Sequence, residues 1–393
     1  MCGNHSMIIN RVYKYRAVHG AGHHAPGTPW FLYSRRFCQC SIRPVTMVTG
    51  RISKQALVPA GVWRYNGVKG YAGKWIRRAG GMEMNRIPVK ECINLNSIIR
   101  RYGLEPYTMV NMQIGYDDAL YLLFSARVPE RIQGMFVDTQ ANTEYRALCL
   151  FIDWQDGSLL GEEVLEFGVR KMNFHFIQPI GDDILLLGAR SMMYKNGIPD
   201  QNAVFLTRHG KILSVTCFGD GIQDCMVLGD GRIVTGYFDE GVFGNFGWDK
   251  PLGDKGLVVW NRDGQKVWEN TKHFIADCYA MNVDEQDNLW YYYYDDFNLV
   301  KTDFDSEWVF RPDVKGSSSF LIMKSHMGII MDSGYGKHGK MKMLRILGNR
   351  LGRPEDAGFV CNGDTVPMEM YCFRSARAAF ADGGERLFCV EVV

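Results

Sequence analysis

The apolar residues of this chain come in short runs separated by turn residues, and from residue 105 onward the runs recur in sets of four. Short runs rich in Val, Ile, Tyr, Phe and Trp predict strands, whereas a helix would space its apolar positions three and four apart over a longer stretch. The clearest set lies in 219–268. Residues 225–228, the turn Gly229-Asp230-Gly231 and residues 232–238 predict a tight hairpin, because Gly and Asp accept the backbone angles such a turn demands. A long Gly- and aromatic-rich loop follows; then residues 257–260, the turn Asp263-Gly264 and residues 265–268 predict a second hairpin.

The same order recurs on both sides. Residues 107–115 and 119–126 pair around Asp117-Asp118, and 147–153 and 163–167 around Asp156-Gly157. Next, 174–180 and 184–189 pair across Gly181-Asp182-Asp183, and 203–207 and 211–218 across His209-Gly210. Beyond the central set come 275–284 with 288–294 and 299–303 with 308–310. A fifth set pairs 318–324 with 328–332, and 342–347 with a strand beyond Gly348-Asn349. The last set has two strands, 368–373 and 386–392, joined by a segment without strand character. A four-stranded unit that recurs buries its faces by stacking on its neighbours, and a closed ring of such units is a β-propeller. The expected fold is therefore all-β, a propeller of six four-stranded blades of about 51 residues each. Half a blade at the end of the chain would leave open sheet edges. Residues 86–104, which contain strand candidates without a hairpin partner, are expected to close the last blade.

The turns carry a resemblance. The acidic-Gly inner turns and Asp-Gly outer turns, as at Asp230-Gly231 and Asp263-Gly264, resemble those of the propeller superfamily that includes WD-repeat, NHL-like and TolB-like proteins. The resemblance covers most of 105–393. No Trp-Asp dipeptide closes each blade, which sets the chain apart from true WD repeats. The phrases NFHFIQP at 173–179 and YFDEGVFGN at 237–245 are similar to those of uncharacterised bacterial propeller proteins, and that resemblance implies no particular activity.

Charge divides the chain in two. Residues 1–81 contain 13 Lys and Arg and no Asp or Glu, so the remainder carries 32 basic and 43 acidic residues. The leader lacks the Lys/Arg block of a nucleic-acid arm and the continuous apolar core of a secretory signal, and it is long and poor in Ser for a transit peptide. It is read as lying outside the working fold, with 82–393 as one propeller domain. Within it, Val62-Trp63-Arg64-Tyr65-Asn66-Gly67-Val68-Lys69 reads as a strand–turn–strand. Cys38-Gln39-Cys40 and His23-His24 lack zinc-finger spacing. Eleven cysteines without framework spacing point to a reducing, cytoplasmic setting. No run of 18 apolar residues is present to span a membrane, and the acidic body argues against nucleic acid as a partner.

Propeller topology gathers chemistry at one face, where inner strands begin and where second and third strands are joined. The first place offers His175, Asp224 and Asp277; the second offers Asp239, Glu240, Asp295 and Asp296. These residues predict an acidic channel mouth that takes a small molecule or a protein ligand. His175 is a candidate ligand group or general base. Asp224 and Asp277 share similar phrases, Ile222-Gln223-Asp224-Cys225 and Ile275-Ala276-Asp277-Cys278, and two carboxylates facing a narrow channel repel unless something compensates. Ca²⁺ or another divalent cation would do so, with Asn282, Gln178 or carbonyls completing the shell. Such a centre resembles that of lactonase-type propellers, which implies a metal-dependent hydrolase or lyase as the alternative function. Capping of a turn by each Asp is the plainer reading. Phe243, Phe246 and Trp248 on the Gly-rich 239–255 loop either cover a ligand or tuck onto the blade. In the run 291–294, alternate rings are expected on opposite sides of one strand. No phosphate loop, dinucleotide fingerprint, HExxH motif or nucleophile elbow occurs.

Overall fold

The computed structural model describes residues 84–393 except 133–135, 338 and 384. The acid-free leader, its 62–69 strand–turn–strand and its Cys and His pairs lie outside the described residues.

The described residues form a closed β-propeller. Blade 1 comprises Thr108–Ile114, Leu120–Ser125, Gln140–Asp153 and Ser158–Met172. Blade 2 comprises Phe176–Ile180, Asp183–Leu187, Ala203–Thr207 and Ile212–Thr216, and blade 3 Ile222–Val227, Ile233–Tyr237, Leu257–Trp260 and Lys266–Glu269. Blade 4 is Asp277–Val283, Leu289–Tyr294, Leu299–Thr302 and Glu307–Phe310. Phe320–Ile322, Gly328–Asp332, Met341–Leu347 and Glu355–Cys361 form blade 5. Blade 6 is made of Met370–Arg374, Arg377–Asp382, Arg386–Glu391 and a strand from before blade 1, Ile93–Asn94. Five of these sheets are four-stranded; that of blade 5 grows to seven with Arg350–Leu351, Asp364–Thr365 and Asn85–Pro88. The six innermost strands touch in ring order, the last meeting the first.

The ring explains why the strands read as nearly unbroken apolar runs. Each sheet is sandwiched between two neighbours, so both sets of alternating side chains are buried, as in Leu120–Ser125, where all six residues are buried. Six hydrophobic clusters fill the six blade interfaces. Trp290 and Tyr292 point into the interface with blade 5, and Tyr291 and Tyr293 into that with blade 3.

Three elements depart from the sequence reading. The segment between 373 and 386 is a full strand, Arg377–Asp382, bonded on both sides, so blade 6 draws three strands from the C-terminus and one from the N-terminal segment. Its run of Ala has weak strand preference, and its turn uses Ser375 at φ 50° where Gly is usual. Within 86–104, Leu95–Arg101 is a helix: Asn94 accepts the Ser97 N–H at 2.9 Å as its cap, and Leu95 and Ile98, three apart, are buried. In blade 5 the strand just beyond Gly348-Asn349 is only Arg350–Leu351, and the outer partner of Met341–Leu347 is Glu355–Cys361.

Candidate functional site

The inner strands enclose a cavity of about 180 Å³ lined by residues of all six blades, among them Asn111, His175, Asp224, Tyr279, Ser319 and Tyr371. This is slightly larger than the ~150 Å³ that admits a benzene ring, and smaller than the pockets that hold drug-sized ligands. One end is filled by side chains. Gln113 of blade 1 accepts from the Ile177 N–H of blade 2 at 2.9 Å and donates to the Cys225 carbonyl of blade 3 at 3.0 Å. Asn282 donates to the Phe320 carbonyl at 2.8 Å and accepts from the Ser375 N–H at 2.8 Å. Arg374 lies buried among them. The other end is where the inner strands begin, and the exposed Glu369 and part-exposed Gln223 are on its lining.

His175 precedes the inner strand of blade 2. Its Nδ1 accepts the Ala189 N–H at 3.0 Å, which places the ring proton on Nε2 in the neutral form. Burial, aided by the charge of Arg190, pushes this imidazole down to about 4, so it is neutral at pH 7. Asp224 lines the cavity, and its Oδ1 accepts the N–H of Cys225 at 2.8 Å.

Asp277 has a different environment. Its Oδ1 is shut off from solvent and has no hydrogen-bond partner. Burial first, and then the nearby charge of Asp239, push its carboxyl up to about 8. The charge that acts on Asp277 is that of Asp239, from the short helix after the second strand of blade 3. Asn282 sits five positions along the strand from Asp277, in the filled end, with both amide atoms committed to blades 5 and 6. Asn282 thus does not join Asp277, because a side chain five positions along the inner strand reaches a different level of the channel, whereas the charges of Asp224 and Asp277 both act on the Cys278 thiol. Gln178 is likewise engaged, accepting from the Val227 N–H at 3.3 Å. Among the described residues, no three His, Cys, Asp or Glu side chains gather as a metal site.

Asp239 and Glu240 open a short helix, Asp239–Phe243. It seats against the start of blade 3 because Gly221 and Gly241 meet there: a Cβ on Gly221, at φ 71°, would lie 2.3 Å from the Gly241 nitrogen. Glu240 pairs with Arg190 at 2.6 Å, and Arg190 also grips Asp220 through two bonds of 2.9 and 2.8 Å. Phe246 covers this guanidinium at 4.2 Å. Trp248 is buried and donates to the Ser191 carbonyl at 2.7 Å. Of the three loop aromatics, then, Trp248 is a plug, Phe246 a lid on an arginine, and Phe243 is exposed, 6.3 Å from the exposed Phe274. Asp295 and Asp296 are exposed at the turn after the second strand of blade 4, where Asp296 faces the Tyr293 phenol.

Beside Asp277 stands an aromatic group that the sequence reading missed. Tyr279 stacks on Tyr294 with centroids 6.1 Å apart and meets Tyr335 and Phe297 at 6.3 Å; the Tyr279 and Tyr335 hydroxyls are 2.6 Å apart. Tyr335 comes from a loop of blade 5, so no spacing within one blade announces the contact. Tyr279 shares both the cavity wall and the field of Asp277.

Comparison with known proteins adds little beyond the fold. The YxzG family model matches residues 253–320, which include Asp277 and Tyr279. None of the curated proteins compared matches the sequence. Among solved structures, the chain is similar to one in the mitotic checkpoint complex at 9% identity and TM-score 0.44, over 84% of this chain and 98% of that one. It is similar to virginiamycin B lyase from Staphylococcus aureus with quinupristin at 10% identity and TM-score 0.40, over 74% and 96%. It is also similar to the PQQ-bound aldose sugar dehydrogenase from Streptomyces coelicolor at 10% identity and TM-score 0.38, over 72% and 94%. No helix among the described residues is long and apolar enough to cross a membrane.

Proposed function

We propose that this protein is a ligand-binding propeller whose ligand enters the channel at the end where the inner strands begin. The observation that carries this reading is the blind cavity: six blades line it, its far end is filled by Gln113, Asn282 and Arg374, each bonded to the backbone of other blades, and the inner strand that supplies Tyr279 to its wall begins at Asp277, a carboxyl without a partner. A blind, mixed apolar and polar concavity suits a small molecule or one side chain of a protein partner. An enzymatic role is the second reading, favoured by Asp277, since a carboxyl that keeps its proton at pH 7 can act as a general acid. A divalent cation at the mouth would have to draw on Asp277, Asp239 and carbonyl oxygens.

A thermal-shift screen of chemically diverse small molecules tests the reading. At least one class is expected to raise the melting temperature of the wild-type chain and not of Gln223→Trp, which places an indole on the cavity lining. If no compound distinguishes the two proteins, the channel is not a binding site.

A further inference from the structure

We infer that the ligand of this mouth carries a protonated primary amine, bound by the Asp277 carboxyl beside the ring faces of Tyr279 and its aromatic neighbours. The inference rests on the ligand-binding reading and names its chemical class. The argument begins with what surrounds Asp277. The groups that face it are Asp239 from the short helix, the Tyr279 and Tyr335 phenols and the Cys278 thiol. None of these is a cation. The guanidinium that acts on Asp239, that of Arg190, is held by Asp220 and Glu240. A buried carboxyl without a donor is costly, and the missing partner is a group with both N–H donors and positive charge.

The neighbouring surface suits the same group. Aromatic faces attract cations through the ring quadrupole, and Tyr279, Tyr294, Phe297 and Tyr335 form one continuous cluster beside the carboxyl. The cluster already attracts one ammonium: Lys315 Nζ lies 5.9 Å from the Phe297 ring. The cavity beyond Tyr279 has room for a short alkyl chain. A primary ammonium uses all three features: N–H donors for Asp277, charge for the rings, and an apolar stem for the channel. A quaternary ammonium would lack the donors. Because a carboxyl turns about its Cβ–Cγ bond, either oxygen can face the entering amine. The carboxyl gives up its proton as the ammonium arrives, so binding releases a proton to buffer.

Isothermal titration of the full chain with n-butylammonium chloride, at pH 8.5, 7.5 and 6.5 in buffers of different ionisation enthalpy, tests this. Saturable one-to-one binding with proton release is expected, and below pH 8 it weakens by about tenfold per unit, as a carboxyl that must ionise requires. Asp277→Asn is expected to bind at least tenfold more weakly while keeping its melting transition, and Tyr279→Leu to bind about two- to fivefold more weakly. n-Butanol is expected not to bind, and tetramethylammonium to bind more weakly than n-butylammonium. A preference for N-acetyl-lysine methylamide over n-butylammonium would identify the source as a protein lysine; equal affinity would identify a free amine. Absence of saturable amine binding, or equal binding by Asp277→Asn, overturns the inference. The ligand-binding reading survives that result if a neutral compound stabilises the wild type but not Gln223→Trp, and falls with it if nothing does.

Discussion

Arg374 of blade 6 donates to the Val227 carbonyl of blade 3 at 2.8 Å, so a single side chain spans opposite sides of the ring. Its other terminal nitrogen, Nη1, is buried without a partner, and burial pulls the group down to about 10, still charged at neutral pH. Asp287, Asp118 and Asp117 act on it through space rather than by contact. A lone buried guanidinium of this kind costs desolvation and recovers little. Arg374→Met, which preserves length without charge, is expected to unfold within about 2 kcal/mol of the wild type in urea, in either direction. Arg374→Ala, which empties the end of the channel, is expected to lose roughly 3 kcal/mol. Equal losses for the two variants would show that charge, not filling, is what the position supplies.

The raised carboxyl of Asp277 gives stability a pH dependence. In the folded chain it titrates at about 8, against near 4 when unfolded. Between those values the folded state holds a proton that the unfolded state has lost, so stability falls as pH rises through this window, by up to about 1.4 kcal/mol per unit. Asp277→Asn removes the titration. Urea midpoints are expected to fall less steeply for the variant from pH 5 to pH 8, and the variant is expected to be the more stable protein at pH 8. Parallel profiles would place the group's proton affinity near that of an ordinary Asp.

Arg190 organises the 239–248 loop. Replacing it with Met strands Asp220, which is 1% exposed, and frees Glu240 and Phe246. The expected loss is about 3–5 kcal/mol, the cost of breaking a buried ion pair from one side. Faster hydrogen exchange in 239–248 than in the strands of blade 3 is expected to accompany it. Uniform acceleration across blade 3 would mean that the arginine supports the blade rather than the loop.

The N-terminal segment is expected to be required for the ring. A chain beginning at Met84 is expected to melt cooperatively. One beginning at Glu105 loses Ile93, Leu95, Ile98 and Leu104, all buried against blades 6 and 1, and is expected to be aggregated or molten. Equal melting of the two would mean that blade 6 is complete with three strands.

Much of the fold was legible in the sequence because blade strands are buried on both faces and end in Gly or Asp turns. Residues 203–207, 257–260 and 328–332 match the observed strands Ala203–Thr207, Leu257–Trp260 and Gly328–Asp332. Arg377–Asp382 was hidden because its strand character comes from pairing on both sides, not from its Ala residues. The site was harder to read. Topology alone suggested that His175, Asp224, Asp239 and Asp277 belong to the same end, but it could not show that Arg190 takes Glu240 or that Trp248 turns inward. Tyr279 meets Tyr335 across two blades, 56 positions apart, and a contact of that kind leaves no periodic trace. A Tyr next to a suspected carboxylate was the one signal available.

Asn85–Pro88 runs parallel to Ala357–Val360, and after four intervening residues Ile93–Asn94 joins Leu387 and Arg386. The earliest described residues are therefore sewn into the two blades that are synthesised last of the six. Blades 1 to 4 can form from neighbouring sequence as they emerge, but an open ring with exposed flanks must wait for the C-terminus before it seals. Such distant pairings are slow, and they leave sheet edges uncovered meanwhile. For a nascent chain of this protein, the vulnerable interval is the synthesis of its final blade, and a premature stop before Arg386 would release a ring in which Ile93–Asn94 has no strand to close upon.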